Sequence, residues 1–398
     1  MDPWSSSTVA LVALHGMTDP SPELPSRAQA VDRASIERHF DGHEDILPLW
    51  IAEPYVALAP AVTTALADRA GTGWYGYETR SDTLDRSIRA WMARRHGWHT
   101  MAPSVVSPSV GTSIGVVIDL LTDPGDGVVI QPPVFTDFKP LIAAAGRQVV
   151  RNPLQLEDGA YRMDLEGLDE VAKDPRTKLL ILCNPHNPVG RVWAPHELAA
   201  VAEVCARHDV VVVADEIHGD LALPHHPWTP FGTVVGDGGP RWASIHGPTK
   251  TFGLAGVCDT LLVSSDVAIL EGFERRSSRF HLTRNNVFGL AAMEAAYEEG
   301  GSWLDGLMDL VEANANLLQA GLPDDIRLVG LEGTYLAWLD LRRLDPDIGG
   351  MAGWLAREAS IAVSPGHWFG REGAGFARLT IAVPPAWIEQ AIEGLRSL

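Results

Sequence analysis

Three apolar runs between residues 178 and 256 each close on a different polar group, and this pattern most constrains how the chain can fold. The first ends in Cys183-Asn184-Pro185-His186-Asn187-Pro188-Val189-Gly190. The second ends in Ala214-Asp215-Glu216-Ile217-His218, and the third leads to Ser244-Ile245-His246-Gly247-Pro248-Thr249-Lys250-Thr251. Residues 178–183 and Val210 to Val213 are almost wholly apolar, as expected of parallel strands covered on both faces. In open α/β sheets, ligands bind beyond the carboxyl ends of the strands. An amide, a carboxylate and an amine delivered to one such edge suit a ring cofactor that needs each group at a separate point.

The chain has only four lysines, Lys139, Lys173, Lys178 and Lys250. Lys173 and Lys178 flank Asp174-Pro175-Arg176, which reads as a solvated turn, and Lys139 reads as a surface residue. Lys250 follows a strand between Gly-Pro-Thr and Thr. It is the lysine best placed to bond an aldehyde cofactor covalently. In isolation it would read as a plain loop lysine; the Asn and Asp motifs upstream argue for chemistry.

Around this stretch, short strands alternate with helices over residues 100–285, which predicts a βαβ array with a mostly parallel sheet. Residues 59–70 and 82–96 read as helices, the second capped by Ser81 or Asp82. Pro108-Ser109-Val110-Gly111-Thr112-Ser113-Ile114-Gly115 reads as a small-residue turn before an apolar helix, Val116 to Leu121. Free backbone N–H groups and a helix dipole there favour a phosphate. Gly73-Trp74-Tyr75-Gly76-Tyr77 reads as an aromatic binding loop. Phe135, just past the Val128-Val129-Ile130 strand, is placed to stack on a flat ring, with core packing as the plain alternative. Beyond about residue 320 the pattern changes to a smaller α+β lobe. Residues 1–28, rich in Pro and Ser, read as an irregular arm.

Composition excludes more than it identifies. A net charge of -20 argues against nucleic-acid or anionic-membrane binding as the main activity. Cys183, Cys205 and Cys258 are scattered and lack metal-ligand spacing, which fits a reduced compartment. No run is long enough for a membrane span, and Val9 to Leu14 is too short for a signal core. The chain is therefore expected to be cytoplasmic.

Taken together, these motifs resemble the fold-type I pyridoxal-phosphate enzymes of the aspartate aminotransferase superfamily. Within it they resemble most the MalY/PatB-type cystathionine β-lyases, or cysteine C–S lyases. The resemblance runs from Val31-Asp32-Arg33 to the C-terminus. Its most specific pieces are Asn184 to Gly190, Asp215-Glu216-Ile217-His218, Thr249-Lys250-Thr251-Phe252, Thr334-Tyr335-Leu336-Ala337-Trp338-Leu339-Asp340-Leu341 and Gly375-Phe376-Ala377-Arg378-Leu379. It implies an α/β fold with a large pyridoxal-phosphate-binding domain, residues 56–288, built on a mostly parallel sheet. A smaller α+β domain would draw on residues 1–55 and 289–398.

The resemblance also implies roles. Lys250, with Thr249 beside it, would hold pyridoxal 5'-phosphate covalently and then move the substrate's Cα proton. Asp215 would pair with the ring nitrogen. Asn187 would donate to the ring hydroxyl oxygen, with His218 nearby. Phe135 stands where the family usually has a stacking tyrosine. Val110 and Gly111 would offer N–H groups to the phosphate, and Tyr77 would reach that phosphate from the other subunit of a homodimer. Arg378, which alone reads as a surface salt bridge, would clamp the substrate α-carboxylate, with Tyr335 also on the substrate side. Two departures stand out. Gly247 replaces a frequent phosphate-binding serine, and Ala52-Glu53-Pro54-Tyr55 replaces an Asp-Met-Asp-Phe-type segment at the pocket. The expected reaction is β-elimination from an L-cysteine S-conjugate. The alternatives are transamination, or a specialised enzyme acting on a large conjugate by elimination or by a decarboxylating or oxidative variant.

Overall fold

The computed structural model describes residues 37–43, 45–99 and 101–398. The expected N-terminal arm, residues 1–28, lies outside them, as does the Val31-Asp32-Arg33 start of the resemblance. Seven strands form the central sheet: β1 (Ser104–Ser107), β2 (Gly127–Ile130), β3 (Gln148–Arg151), β4 (Thr177–Cys183), β5 (Val211–Asp215), β6 (Trp242–His246) and β7 (Thr260–Val263). Their order across the sheet is β1-β7-β6-β5-β4-β2-β3. Strands β3, β2, β4, β5 and β6 pair in parallel. Strand β7 runs antiparallel to both β6 and β1.

The apolar runs explain why the centre of this sheet is parallel and covered. Every residue of β2, β5, β6 and β7 is buried. Alternate side chains of β4 and β5 enter two separate cores. Leu179, Ile181, Val211 and Val213 pack with Ile114, Ile118 and Phe273 on one face. Leu180, Leu182, Val212 and Ala214 pack with Trp193, Leu198 and Phe231 on the other. Full burial of one such side chain stabilises the fold by about 1.5–3 kcal/mol.

Among the helices, α1 (Pro60–Gly71) and α2 (Asp82–His96) precede the sheet, and α3 (Val110–Leu121) follows β1. Ser81 caps α2, its Oγ accepting from the Leu84 N–H at 3.0 Å. Helix α3 begins at Val110, earlier than the small-residue turn suggests. Ser109 Oγ accepts from the Thr112 N–H at 3.1 Å. A serine cap at that point outweighs the poor helix propensity of Gly111, Thr112 and Gly115.

A second, antiparallel sheet carries the later part of the chain. Its strands are β8 (Arg327–Leu328), β9 (Leu336–Asp340), β10 (Ser364–Pro365) and β11 (Phe376–Thr380), in the order β8-β9-β11-β10. The segment from Leu47 to Tyr55 is stitched to this lobe. Leu47–Pro48 pairs in parallel with Ile361–Ala362. Leu49 O accepts from the Thr380 N–H at 2.8 Å, and Ala382 O from the Tyr55 N–H at 2.7 Å. That stitching carries Trp50 and Ala52 to the carboxyl edge of the seven-stranded sheet.

Candidate active site

Four parallel strands deliver side chains to that edge. Phe135 follows β2, Asn187 follows β4, Asp215 ends β5, and Lys250 sits in the one-turn helix Pro248–Thr251 after β6. The second lobe adds Tyr335 and Arg378. Asn187, Asp215, His218, Tyr335 and Arg378 are all buried, at 3%, 4%, 3%, 0% and 6% exposure. This burial decides between the two readings of Arg378: it is no surface salt bridge.

Arg378 is held without an acid partner among the described residues. Its Nη1 donates to Asn187 Oδ1 at 3.0 Å, and its Nη2 donates to the Trp50 carbonyl at 2.7 Å and Ser364 Oγ at 3.2 Å. The guanidinium lies over the Phe369 ring at 4.8 Å. Its buried Nε has no hydrogen-bond partner among the described residues. Burial pulls its pKa down to about 10. A buried cation whose partners are one carbonyl, one amide oxygen and one hydroxyl is costly. It is a site prepared for an anion.

The Lys250 Nζ donates to the Ala52 carbonyl at 2.9 Å. Burial lowers its pKa, Arg378 lowers it further, and Glu53, Asp215 and Asp137 oppose the shift. The Tyr335 hydroxyl donates to the Ala52 carbonyl at 3.2 Å and to the Lys250 carbonyl at 3.3 Å. Burial raises Asp215 to about 6, against a 3.3 Å bond from the Ile217 N–H and the charge of Lys250. Burial also pushes His218 well below its ordinary range, with Lys250 and Arg378 adding to the effect. The His218 Nδ1 is buried without a hydrogen-bond partner among the described residues.

At the start of α3, the Thr112 N–H is taken by Ser109 Oγ and the Ser113 N–H by the Ser109 carbonyl at 2.9 Å. The N–H groups of Val110 and Gly111 are left at the open end of the helix. A Cβ built on Gly111 would meet nothing closer than Ser109 Oγ at 4.0 Å. Thr249 is buried beside Lys250. Phe135 is partly buried, its ring edge-on to Phe138 at 5.5 Å. Tyr77 is not brought into the buried cluster. Its ring is 84% exposed, with the Arg284 guanidinium over it at 4.4 Å.

These groups fit pyridoxal phosphate by their chemistry. A buried acid lacking a cationic hydrogen-bond partner among the described residues matches a protonated ring nitrogen, and the half-buried lysine matches an aldehyde. The open helix end matches a phosphate. Gly247 accounts for one departure from the family pattern. A Cβ there would lie 3.3 Å from Thr260 Cα and 3.4 Å from the Asp259 carbonyl, so a serine would crowd backbone.

Sequence reasoning missed three contributors: the carbonyls of Trp50 and Ala52, and the Ser364 hydroxyl. The first two lie in or beside the divergent Ala52-Glu53-Pro54-Tyr55 segment, which was a usable signal. Nothing in the sequence marks Ser364.

Comparison with known proteins agrees with this geometry. The sequence profile described as "Aminotransferase class I and II" matches residues 44–395. The chain is 35% identical over 360 residues to cystathionine beta-lyase PatB of Bacillus subtilis, an alignment covering 89% of this chain and 93% of that protein. It is 32% identical to protein MalY of Escherichia coli, over 89% and 92% of the two chains. Among solved structures, a pyridoxal-phosphate-bound putative aminotransferase from Clostridium difficile superposes with a TM-score of 0.89. It shares 32% identity and covers 94% of this chain and 98% of its own.

Proposed function

We propose that this chain, which belongs to the aminotransferase class I and II family, is a pyridoxal-phosphate-dependent carbon–sulfur lyase. It cleaves L-cysteine S-conjugates, cystathionine among them, to a thiol, pyruvate and ammonia. The observation that carries the reading is the pairing of a buried Arg378, which has no acid partner among the described residues, with a half-buried Lys250 of lowered pKa. The similarity to cystathionine beta-lyase PatB supports this reaction class.

Arg378 takes the α-carboxylate of the substrate, replacing part of its carbonyl shell with a charge-assisted pair. That contact fixes Cα relative to Lys250. Because burial and Arg378 lower the lysine pKa, a larger share of Nζ is neutral near pH 7 and able to accept the Cα proton. Pyridoxal phosphate, when bound, supplies the electron sink that makes this proton acidic. Asp215 would hold a proton on the ring nitrogen, and its buried position would keep that pair out of water. Asn187 spends its Oδ1 on Arg378, so its Nδ2 remains to donate to the ring hydroxyl oxygen. Loss of the Cα proton expels the sulfur from Cβ with the bonding pair as a thiolate. The three-carbon fragment then hydrolyses to pyruvate and ammonia. The N–H groups of Val110 and Gly111 would hold the phosphate, and Tyr77 of a second copy would reach it in a homodimer.

A second reading has a specific observation behind it: the similar Clostridium difficile protein is described as a putative aminotransferase. Transamination uses the same lysine and the same arginine. The test is a paired product assay with L-cystathionine and S-methyl-L-cysteine on the holoenzyme, without any keto acid. Equal thiol and pyruvate over many turnovers are expected. One turnover with no thiol would favour the aminotransferase. No reaction with cofactor bound would favour a bulkier conjugate.

A further inference from the structure

Lys250 sits on a helix of one turn, Pro248–Thr251. So short a helix cannot hold its own geometry, because nucleation costs more than one turn of hydrogen bonds returns. Something outside it must fix the lysine. One tie is the Tyr335 hydroxyl on the Lys250 carbonyl. Another is Thr251, whose Oγ1 donates to Asp220 Oδ2 at 3.0 Å.

Asp220 is unusually well anchored. Its Oδ1 accepts from Trp91 Nε1 at 2.8 Å and faces His96 Nε2 at 2.7 Å, both on α2. Its side chain is 7% exposed and that of His96 is 8%. The His96 ring stands edge-on to Trp228 at 4.6 Å, which limits its movement. Asp220 also lies in the turn that follows His218, where the Leu221 N–H donates to the His218 carbonyl at 2.8 Å. One carboxylate therefore joins three elements: the turn after β5, the lysine turn after β6, and α2.

We propose that Asp220 is a positioning residue for Lys250, acting through the Thr251 hydroxyl with Trp91 and His96 as its anchor. Full satisfaction of its two oxygens lets it stay ionised in a buried place; burial pushes its pKa up, and the bonds from His96, Trp91 and Thr251 more than reverse that. An acid serving only to neutralise His96 would not need Thr251. The proposal rests on Lys250 being the lysine that bonds the cofactor, not on which substrate bond is cleaved.

Thr251→Val is the discriminating variant, because it leaves the Asp220, His96 and Trp91 contacts in place. Two readouts avoid the lyase assay. One is the rate at which pyridoxal phosphate leaves the diluted holoenzyme, followed by visible absorption. The other is Cα–H exchange of L-alanine in deuterium oxide, followed by proton NMR. Thr251→Val is expected to speed release and slow exchange by about tenfold each, the scale of a small misplacement of a reacting group. Thr251→Ser should restore both, and Asp220→Asn should reproduce the Val result. Parental release and exchange in Thr251→Val would overturn the proposal. So would a loss that Thr251→Ser fails to repair, since that would be a packing effect. Parental exchange in Lys250→Ala would remove the premise about Lys250 and the proposal with it.

Discussion

Arg378 Nη1 donates to Asn187 Oδ1 at 3.0 Å, which couples the substrate clamp of one lobe to the amide that follows β4 of the other. Both side chains are buried, and the bond fixes which way the Asn187 amide faces. The planar guanidinium serves Asn187, Trp50 and Ser364 while its Nε stays free, so an ammonium cannot reproduce the arrangement. Arg378→Lys should raise KM for an L-cysteine S-conjugate by about 10- to 100-fold, the worth of one good charge-assisted pair. The cofactor absorption band should be unchanged. Steady-state kinetics would decide the matter; an unaltered KM would remove Arg378 from the substrate site.

Lys250 is half-buried with a lowered pKa, and its Nζ donates to the Ala52 carbonyl. Replacing it removes both the covalent hold and the proton acceptor. Lys250→Ala should lower turnover by at least about 10³-fold, the upper range for losing a general base. Borohydride treatment of the parent should add the mass of reduced cofactor to the peptide containing Lys250. Mass on a peptide holding Lys139, Lys173 or Lys178 would disprove the assignment.

Asp215 is raised to about 6 by burial in the protein without cofactor. A protonated ring nitrogen would pull it back down, because an opposite charge favours the ionised acid. Asp215→Asn keeps the shape but cannot hold that proton. Turnover should fall by about 10²-fold or more while cofactor still binds. Asp215→Glu should fall less. Equal turnover in the Asn variant and the parent would show that the ring nitrogen has another partner.

Much of this site is legible in the sequence because the chemistry sits at strand ends. Four apolar runs ending in Phe135, Asn187, Asp215 and Lys250 deliver their groups to one edge by sheet geometry alone. The Arg378 environment was not legible. Its Trp50 partner lies 328 residues away, and the Ala52 carbonyl on Lys250 lies 198 residues away. Both contacts depend on the Leu47-to-Tyr55 segment folding back onto the second sheet, and no local pattern encodes that. The start of α3 was missed for a local reason. Gly111 and Gly115 argue against a helix, and only the Ser109 cap reverses the balance.

Glu216 makes a different kind of prediction, because it is buried beside the site without touching cofactor chemistry. Its Oε1 accepts from the Phe231 N–H at 2.8 Å and from Asn184 Nδ2 at 3.3 Å. Its Oε2 faces His246 Nε2 at 3.5 Å with no hydrogen bond. His246 offers no positive charge in return, since burial lowers it to about 3 and Ser244 Oγ holds its Nε2 at 2.7 Å. Burial therefore raises Glu216 from 4.5 to about 8. A carboxyl raised on folding adds stability that is fully present below its unfolded pKa and is lost as pH rises through its folded pKa. The window for Glu216 thus runs from 4.5 to about 8. Glu216→Gln keeps the acceptor for Phe231 and Asn184 and removes the titration. Relative to the parent, the apoprotein variant should gain on the order of 1–3 kcal/mol between pH 5 and pH 8. Urea denaturation of both proteins across that range would measure it. Parallel stability curves for the two proteins would mean that Glu216 ionises in the fold at little cost, and that its buried surroundings solvate the charge.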